Sequence, residues 1–457
     1  LCNQFINDYY PNIRKRNIMA ITLFLLFVFL KQFYIFPSGS IGLADISLML
    51  CCLLLLHNRI RDKSFRPTLK QDILLYLFLG FVIVINSIYG ILNQNKEFFK
   101  YSLFWLYNVC AIWTFRELCN LFGAKFLRQL NYIVKLNIIT QLLVYLSGHG
   151  RLFHEYWGAL RYMGTFNDPN QLAFFLFLMI LFAYLYSCTV KDKTFPVFYL
   201  LTVPVLLATK STGILLGFLS FTSLAILYVL YRTVTHYHIS KKLWGTVMVL
   251  AAIFLGIFLI KIWPADNFDV KNLDYTMTSR IQEKLWKISH GGLTGLILDR
   301  GMEKLVLYPQ YLLFGAGEGG FARFTLASQV NEIHCCLFSV LFCYGILPTC
   351  ILLRWIWNNI KGCPKAALCA VAGLIIESFF LINYRQPMFW MVLIYINSFL
   401  HISNADAITA SIIFILTKPT TKHNFLLSFC KFLIFSIKFS VLLIIDRIIW
   451  LISWFPF

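Results

Sequence analysis

The chain has 457 residues, of which 59% are hydrophobic and only 13% charged, yet its formal net charge is +20. A soluble domain carries about 25% charged and about 45–50% apolar residues. The composition therefore excludes an ordinary soluble enzyme, a disordered chain and a nucleic-acid-binding module, and it suits a bundle of about a dozen membrane helices.

Taken in chain order, the apolar runs predict spans at 18–36, 41–57, 72–92, 101–115, 132–147, 170–188, 196–209, 213–231, 244–263, 335–353, 366–384 and 388–401. Runs such as Ile18–Leu30 are continuous, whereas a membrane β-barrel shows ten-residue alternating segments, so an all-α fold is expected. Arg14, Lys15 and Arg16 precede the first run, which lacks a small-residue cleavage site, so no cleavable signal peptide is expected. Basic residues then recur in alternate loops: Arg59, Arg61, Lys63, Arg66 and Lys70; Arg116, Lys125 and Arg128; Lys191 and Lys193; Arg232, Lys241 and Lys242; Arg354, Lys361 and Lys365. All five loops fall on the same side as the amino terminus, and positive loops stay inside, so that side is read as cytoplasmic. Most of the net charge is thus a topology signal. The expected organisation is one polytopic transmembrane domain over 1–401, with long outer loops at 148–169 and 264–333. The apolar tail 402–457 is open between one extra span, an interfacial helix and a hairpin. The thirteen cysteines form no CxxC and no Cys/His ligand spacing, and read as small buried hydrophobes.

The outer loops hold the chemistry-bearing residues. Asp168 is a natural N-cap and Pro169 a natural first helical residue, with Arg161 just upstream. A helix start beside an arginine fork can receive phosphate, although an arginine at an interface more often anchors a lipid headgroup. The long loop carries Arg280, Arg300 and Arg323, then Phe314-Gly-Ala-Gly-Glu-Gly-Gly-Phe321. No Lys-Ser/Thr follows that cluster, so it is not a P-loop and reads as a tight turn with close backbone approach. His334 sits at the mouth of the next span, where a neutral imidazole can take a proton near neutral pH. Asp45 and Glu377 lie inside predicted spans, and pairing with Lys31 or another helix is the expected reason.

These landmarks, in this order, resemble the O-antigen polymerase and O-antigen ligase superfamily. The matching pieces are Arg161-Tyr-Met-Gly-Thr-Phe-Asn-Asp-Pro-Asn170, Leu207-Ala-Thr-Lys-Ser-Thr-Gly-Ile-Leu215, Asp299-Arg300, Gly315-Ala-Gly-Glu-Gly-Gly-Phe321, Glu332-Ile-His334, Tyr344-Gly-Ile-Leu-Pro348 and Arg385-Gln-Pro-Met-Phe-Trp390. They cover roughly 150–400. The chain departs from the pattern at Lys210-Ser211, where many relatives have Ser-Arg, and at His334-Cys335, where a His-Asn pair is usual.

The resemblance implies a GT-C-like glycosyltransferase of the bacterial inner membrane, with about 12 transmembrane helices and its active site on the periplasmic face. It implies transfer of a growing glycan from undecaprenyl pyrophosphate onto a new lipid-linked repeat unit, with no metal and no cofactor. The implied partners are the bilayer, the lipid-linked repeat units, a flippase and a chain-length-regulating membrane protein; nucleic acid is not among them. In this reading Arg161 and Arg300 hold the pyrophosphate and His334 is the general base. Arg280, Arg385, Lys210 and Asn170 bind substrate, Lys210 acting as a point charge rather than a fork. The short first outer segment Pro37–Ser40, and Asp266 and Asp269 three apart instead of an Asp-x-Asp, speak against metal-dependent glycosyltransferases. Two alternatives stay open: a ligase passing the chain to lipid A core, and a flippase for lipid-linked oligosaccharide, although the latter usually shows repeat symmetry and midplane sites.

Overall fold

The computed structural model describes residues 11–34, 42–61, 72–154, 160–190, 192–236, 260–261, 263–264, 276–327 and 332–398. The expected span 244–263 lies almost wholly outside the described residues, as do Asp266, Asp269, the segment Pro37–Ser40 and the tail 402–457.

The chain is mostly helical. Its helices are α1 (Pro11–Leu30), α2 (Leu43–Arg61), α3 (Ile73–Leu92) and α4 (Glu97–Leu146). After a hairpin come α5 (Pro169–Val190), α6 (Phe195–Ala208), α7 (Thr212–His236), α8 (Met277–Asp299), α9 (Lys304–Leu307) and α10 (Tyr311–Phe314). α11 (Cys336–Tyr344), α12 (Ile346–Ile360), α13 (Lys365–Ser378) and α14 (Pro387–Ser398) complete the described set. Among the described residues, Leu43–Arg61, Ile73–Leu92, Pro169–Val190 and Thr212–Thr233 are long and apolar enough to cross a membrane, and Ile18–Leu30, Phe195–Ala208 and Pro387–Ser398 are shorter apolar helices. α2 exposes Met49, Leu50 and Leu53, and α3 exposes Ile83, Val84 and Ile88. Such outward apolar faces would be costly in water and are ordinary against lipid tails.

α5 is the centre. Leu172 to Tyr186 are all buried, as expected for a helix that is apolar all round. α7 packs along α13 where two glycines face each other. A Cβ on Gly217 would lie 2.9 Å from the Gly373 carbonyl, and one on Gly373 3.0 Å from the Gly217 carbonyl. Without a hydrophobic force between helices in lipid, small residues that let backbones approach are what hold them together.

The expected spans 101–115 and 132–147 fall in one helical stretch, α4, and the expected basic loop between them is helical up to a break at Gly123 (φ 48°, ψ −128°). The Phe115 and Phe126 rings are 5.7 Å apart, whereas eleven residues of straight helix rise about 16 Å. Only glycine adopts that backbone readily, and it folds α4 sharply. Arg116, expected among the loop's basic residues, is buried. It forms a fork on Asp72 (2.8 and 2.9 Å) and also bonds Asn359 at 2.8 Å, while the Trp355 indole donates to Asp72 at 2.7 Å. The span expected at 335–353 is likewise broken, at Gly345 (φ 80°), into α11 and α12.

The outer segment expected as a loop at 148–169 contains an antiparallel hairpin, β1 (Arg151–His154) on β2 (Leu160–Gly164), with Phe153 opposite Arg161. Asp45 pairs with Lys31 at 3.0 Å, as expected for an acid in a span. Glu377 meets no cation among its described partners; its carboxylate accepts from the Asn383 amide.

Candidate functional site

The start of α5 is built as its sequence demands. The backbone N–H groups of Asn170 and Gln171 donate to Asp168 at 2.7 and 3.1 Å, which caps two of the helix's orphan donors. This leaves the Asn170 side chain free to act laterally. Its amide oxygen accepts from Arg161 at 2.8 Å and from the Ser211 hydroxyl at 2.8 Å. Arg161, on β2 and 7% exposed, also donates to the Thr209 carbonyl at 2.9 Å. Lys210 takes a left-handed backbone (φ 50°) and extends its ammonium to the Leu160 carbonyl at 2.8 Å. Arg161, Asn170 and Lys210 are thereby gathered where the hairpin, the α5 start and the α6–α7 turn meet.

The second group hangs on the segment 379–386. Phe380 packs against the start of α7, where a Cβ on Gly213 would lie 2.7 Å from the Phe380 Cβ. The Phe380 carbonyl accepts from Arg300, whose guanidinium lies 5.6 Å from the Phe380 ring centre. The Arg300 carbonyl in turn accepts the backbone N–H of His334 at 2.9 Å. A continuous series of contacts thus runs from Asn170 through Ser211, Gly213 and Phe380 to Arg300 and His334. In the turn before α11, burial pushes the His334 pKa below its ordinary value; Glu332 opposes this, and Arg300, Lys304 and Arg385 add to it. The imidazole is therefore neutral, with a lone pair available. Burial likewise lowers Lys304, against the pull of Glu303.

The third group is centred on Glu318, inside the glycine cluster. Gly315 and Gly317 have φ of 79° and 71°. A Cβ on Gly315 would lie 2.6 Å from the Cys343 carbonyl, and one on Gly317 2.9 Å from the Tyr89 and Phe98 rings. The loop therefore lies flat on α3, α4 and α11, with Ala316 and Gly317 donating to the Phe342 and Cys343 carbonyls at 2.9 and 2.8 Å. Arg323 closes it by donating to the carbonyls of Gly319 (2.8 Å) and Ala316, its guanidinium 4.9 Å from the Phe98 ring centre.

Glu318 itself is fully buried, and a buried carboxylate is stable only when paired and hydrogen-bonded. It accepts from Tyr384 (2.7 Å), from the Arg385 Nε (2.7 Å), from Trp105 (3.2 Å) and from Tyr344, while its own N–H donates to Asn86 at 2.8 Å. The Arg385 Nη2 is shared between Glu318 and Glu332. The guanidinium also lies 4.4 Å from the Tyr101 ring centre. The Glu318 carboxylate thus ties α4, α11 and the 379–386 segment, its backbone N–H adds α3, and it aims Arg385 toward the turn that carries His334.

Of the residues expected from sequence, Arg300, His334 and Arg385 come together around this turn, and Arg161, Asn170 and Lys210 form the adjoining group. Arg280 is committed to α8, in an ion pair with Glu283 at 3.3 Å. Glu318, Glu332 and Lys304 were not among the expected site residues. The available signal was an acid flanked by glycines in an apolar setting, with Tyr384-Arg385 downstream to receive it. Beside the site, an apolar cavity of about 310 Å³ lies among α11, α12, α13 and α14, its wall including Cys335, Phe379, Tyr384 and Trp390. Comparison with protein-family models, curated proteins and solved structures gives no match.

Proposed function

We propose that the protein is a polytopic membrane glycosyltransferase of the O-antigen polymerase type, acting at the outer face on isoprenoid-pyrophosphate-linked glycans. The observation that carries the proposal is the placing of Arg300, Arg385 and a neutral His334 around one turn, adjoining Arg161 and next to an apolar cavity. Transfer requires two services at once. The bond between the anomeric carbon and the pyrophosphate oxygen breaks, and the pyrophosphate leaves with the electron pair. The acceptor hydroxyl oxygen forms the new bond and gives up its proton. Preorganised arginines stabilise the leaving charge, and the lone pair of His334 receives the proton. The cavity has the chemistry to take part of an isoprenoid tail, which keeps the pyrophosphate at the polar rim. The alternating basic loops support a cytoplasmic amino terminus and about twelve spans, which puts this rim outside.

The lipopolysaccharide of a deletion strain tests the proposal. Core carrying a single repeat unit is the expected product. Full-length chains stranded on undecaprenyl pyrophosphate would instead identify a ligase, and repeat units retained on the inner leaflet would identify a flippase.

A further inference from the structure

The pyrophosphate reading leaves the Arg385 site already occupied. Its Nη2 is held by Glu318 and by Glu332, and Glu332 has no other hydrogen-bond partner among the described residues. The two carboxylates differ in kind. Glu318 is fully buried and accepts from Trp105, Tyr344, Tyr384 and Arg385, so removing it would leave four donors on three elements without their acceptor. The Glu332 side chain is 25% exposed and attached through Arg385 alone. It can turn out to water at the loss of one charged contact.

The local charge argues the same way. Arg385 is paired with Glu318 and Glu332, Lys304 has Glu303 beside it, and Arg300 lies near His334, whose pKa is lowered, so these three cations are matched by three carboxylates. An incoming pyrophosphate would add negative charge to a balanced site. If Glu332 leaves, the site becomes net positive. The Arg385 guanidinium is also prepared for exchange. Its face is stacked on Tyr101 at 4.4 Å, its Nε is fixed on Glu318, and its Nη1 makes no hydrogen bond among the described residues. Such a rigid fork binds phosphate oxygens as readily as a carboxylate.

We propose that Glu332 is the resident occupant of the Arg385 anion site and that a pyrophosphate group binds by displacing it. The inference rests on the pyrophosphate reading above. Glu332 then sets the affinity of the site, because every anion competes with a tethered carboxylate. It also keeps Arg385 from capturing stray anions when no substrate is present.

The test is equilibrium binding of inorganic pyrophosphate and, separately, farnesyl pyrophosphate to the full chain in detergent. Glu332→Gln keeps the shape and removes the competing charge, and Glu332→Ala removes the side chain as a check on folding. The expected result is binding about tenfold tighter in both variants than in wild type, with Arg385→Gln binding weakest. A further gain for farnesyl over inorganic pyrophosphate assigns the ligand to the lipid-linked source; equal gains assign it to the free anion. If wild type binds, Arg385→Gln does not, and the Glu332 variants bind no tighter than wild type, the exchange is overturned while the pyrophosphate reading stands. Absence of binding in all four proteins overturns both.

Discussion

His334 illustrates how a residue's surroundings decide what it can do. Burial comes first and favours the neutral ring; Arg300, Lys304 and Arg385 act in the same direction, and Glu332 alone resists. The folded-state pKa therefore lies below the ordinary value of about 6.5. A general base must be unprotonated, so transfer should rise with pH through a midpoint below 6.5 and stay level above it. The check is the initial rate of polymer formation between about pH 5 and 8; a midpoint above 6.5 would remove His334 from the role. The same shift means that the unfolded chain binds the proton more readily, so the contribution of His334 to stability rises with pH up to about 6.5 and is level above it. His334 and Arg300 were singled out in sequence by their place in the ordered motifs, although an isolated histidine is more often structural, and the structure places the two side by side through the Arg300 carbonyl and the His334 N–H. Glu318 was hidden, since its partners Trp105, Tyr344 and Tyr384 are scattered over 280 positions of chain (105 to 384) and only packing brings them to one carboxylate.

At the level of elements, the apolar runs located most helices, and the differences concern where helices break. Gly345 turns the chain inside an apolar run with no polar residues to mark a loop, whereas Gly123 lies within the expected basic loop, most of which proves helical. The hairpin β1–β2 escaped for a different reason: two short strands within a polar loop have no periodicity long enough to read. The Asp168 cap and the Lys31–Asp45 pair, by contrast, follow from local chemistry and were anticipated. The junction of α3, α4 and α12 depends on the fork between Arg116 and Asp72, which joins α4 to the start of α3, with Asn359 and Trp355 of α12 completing it. Removing one partner leaves a buried charge unpaired, which costs about 3–5 kcal/mol. Asp72→Ala should therefore lower the melting temperature of the detergent-solubilised protein sharply and reduce its level in the membrane. An unchanged melting curve would show that water or another group supplies the arginine's missing partner.

Across the whole molecule, the basic residues of alternate loops argue for one orientation, and the proposed function takes its outer face from that argument. On the proposed topology the outer segments are nearly balanced in charge, so the arginines at 161, 300 and 385 would mark positions rather than a general basic field. The structure adds the connection between them: the start of α5, the α6–α7 turn, the 379–386 segment and the glycine loop converge, each anchored by hydrogen bonds that the linear order conceals. The central claim is that this convergence transfers glycan from a lipid pyrophosphate. The most direct measurement is synthesis by purified protein from lipid-linked repeat units in detergent, comparing wild type with Arg300→Lys. The account predicts long chains and released isoprenoid pyrophosphate from wild type. Arg300→Lys should fall by at least about tenfold, because an ammonium cannot replace the planar fork. Unchanged substrate with the wild-type protein, or normal chains from Arg300→Lys, would contradict it.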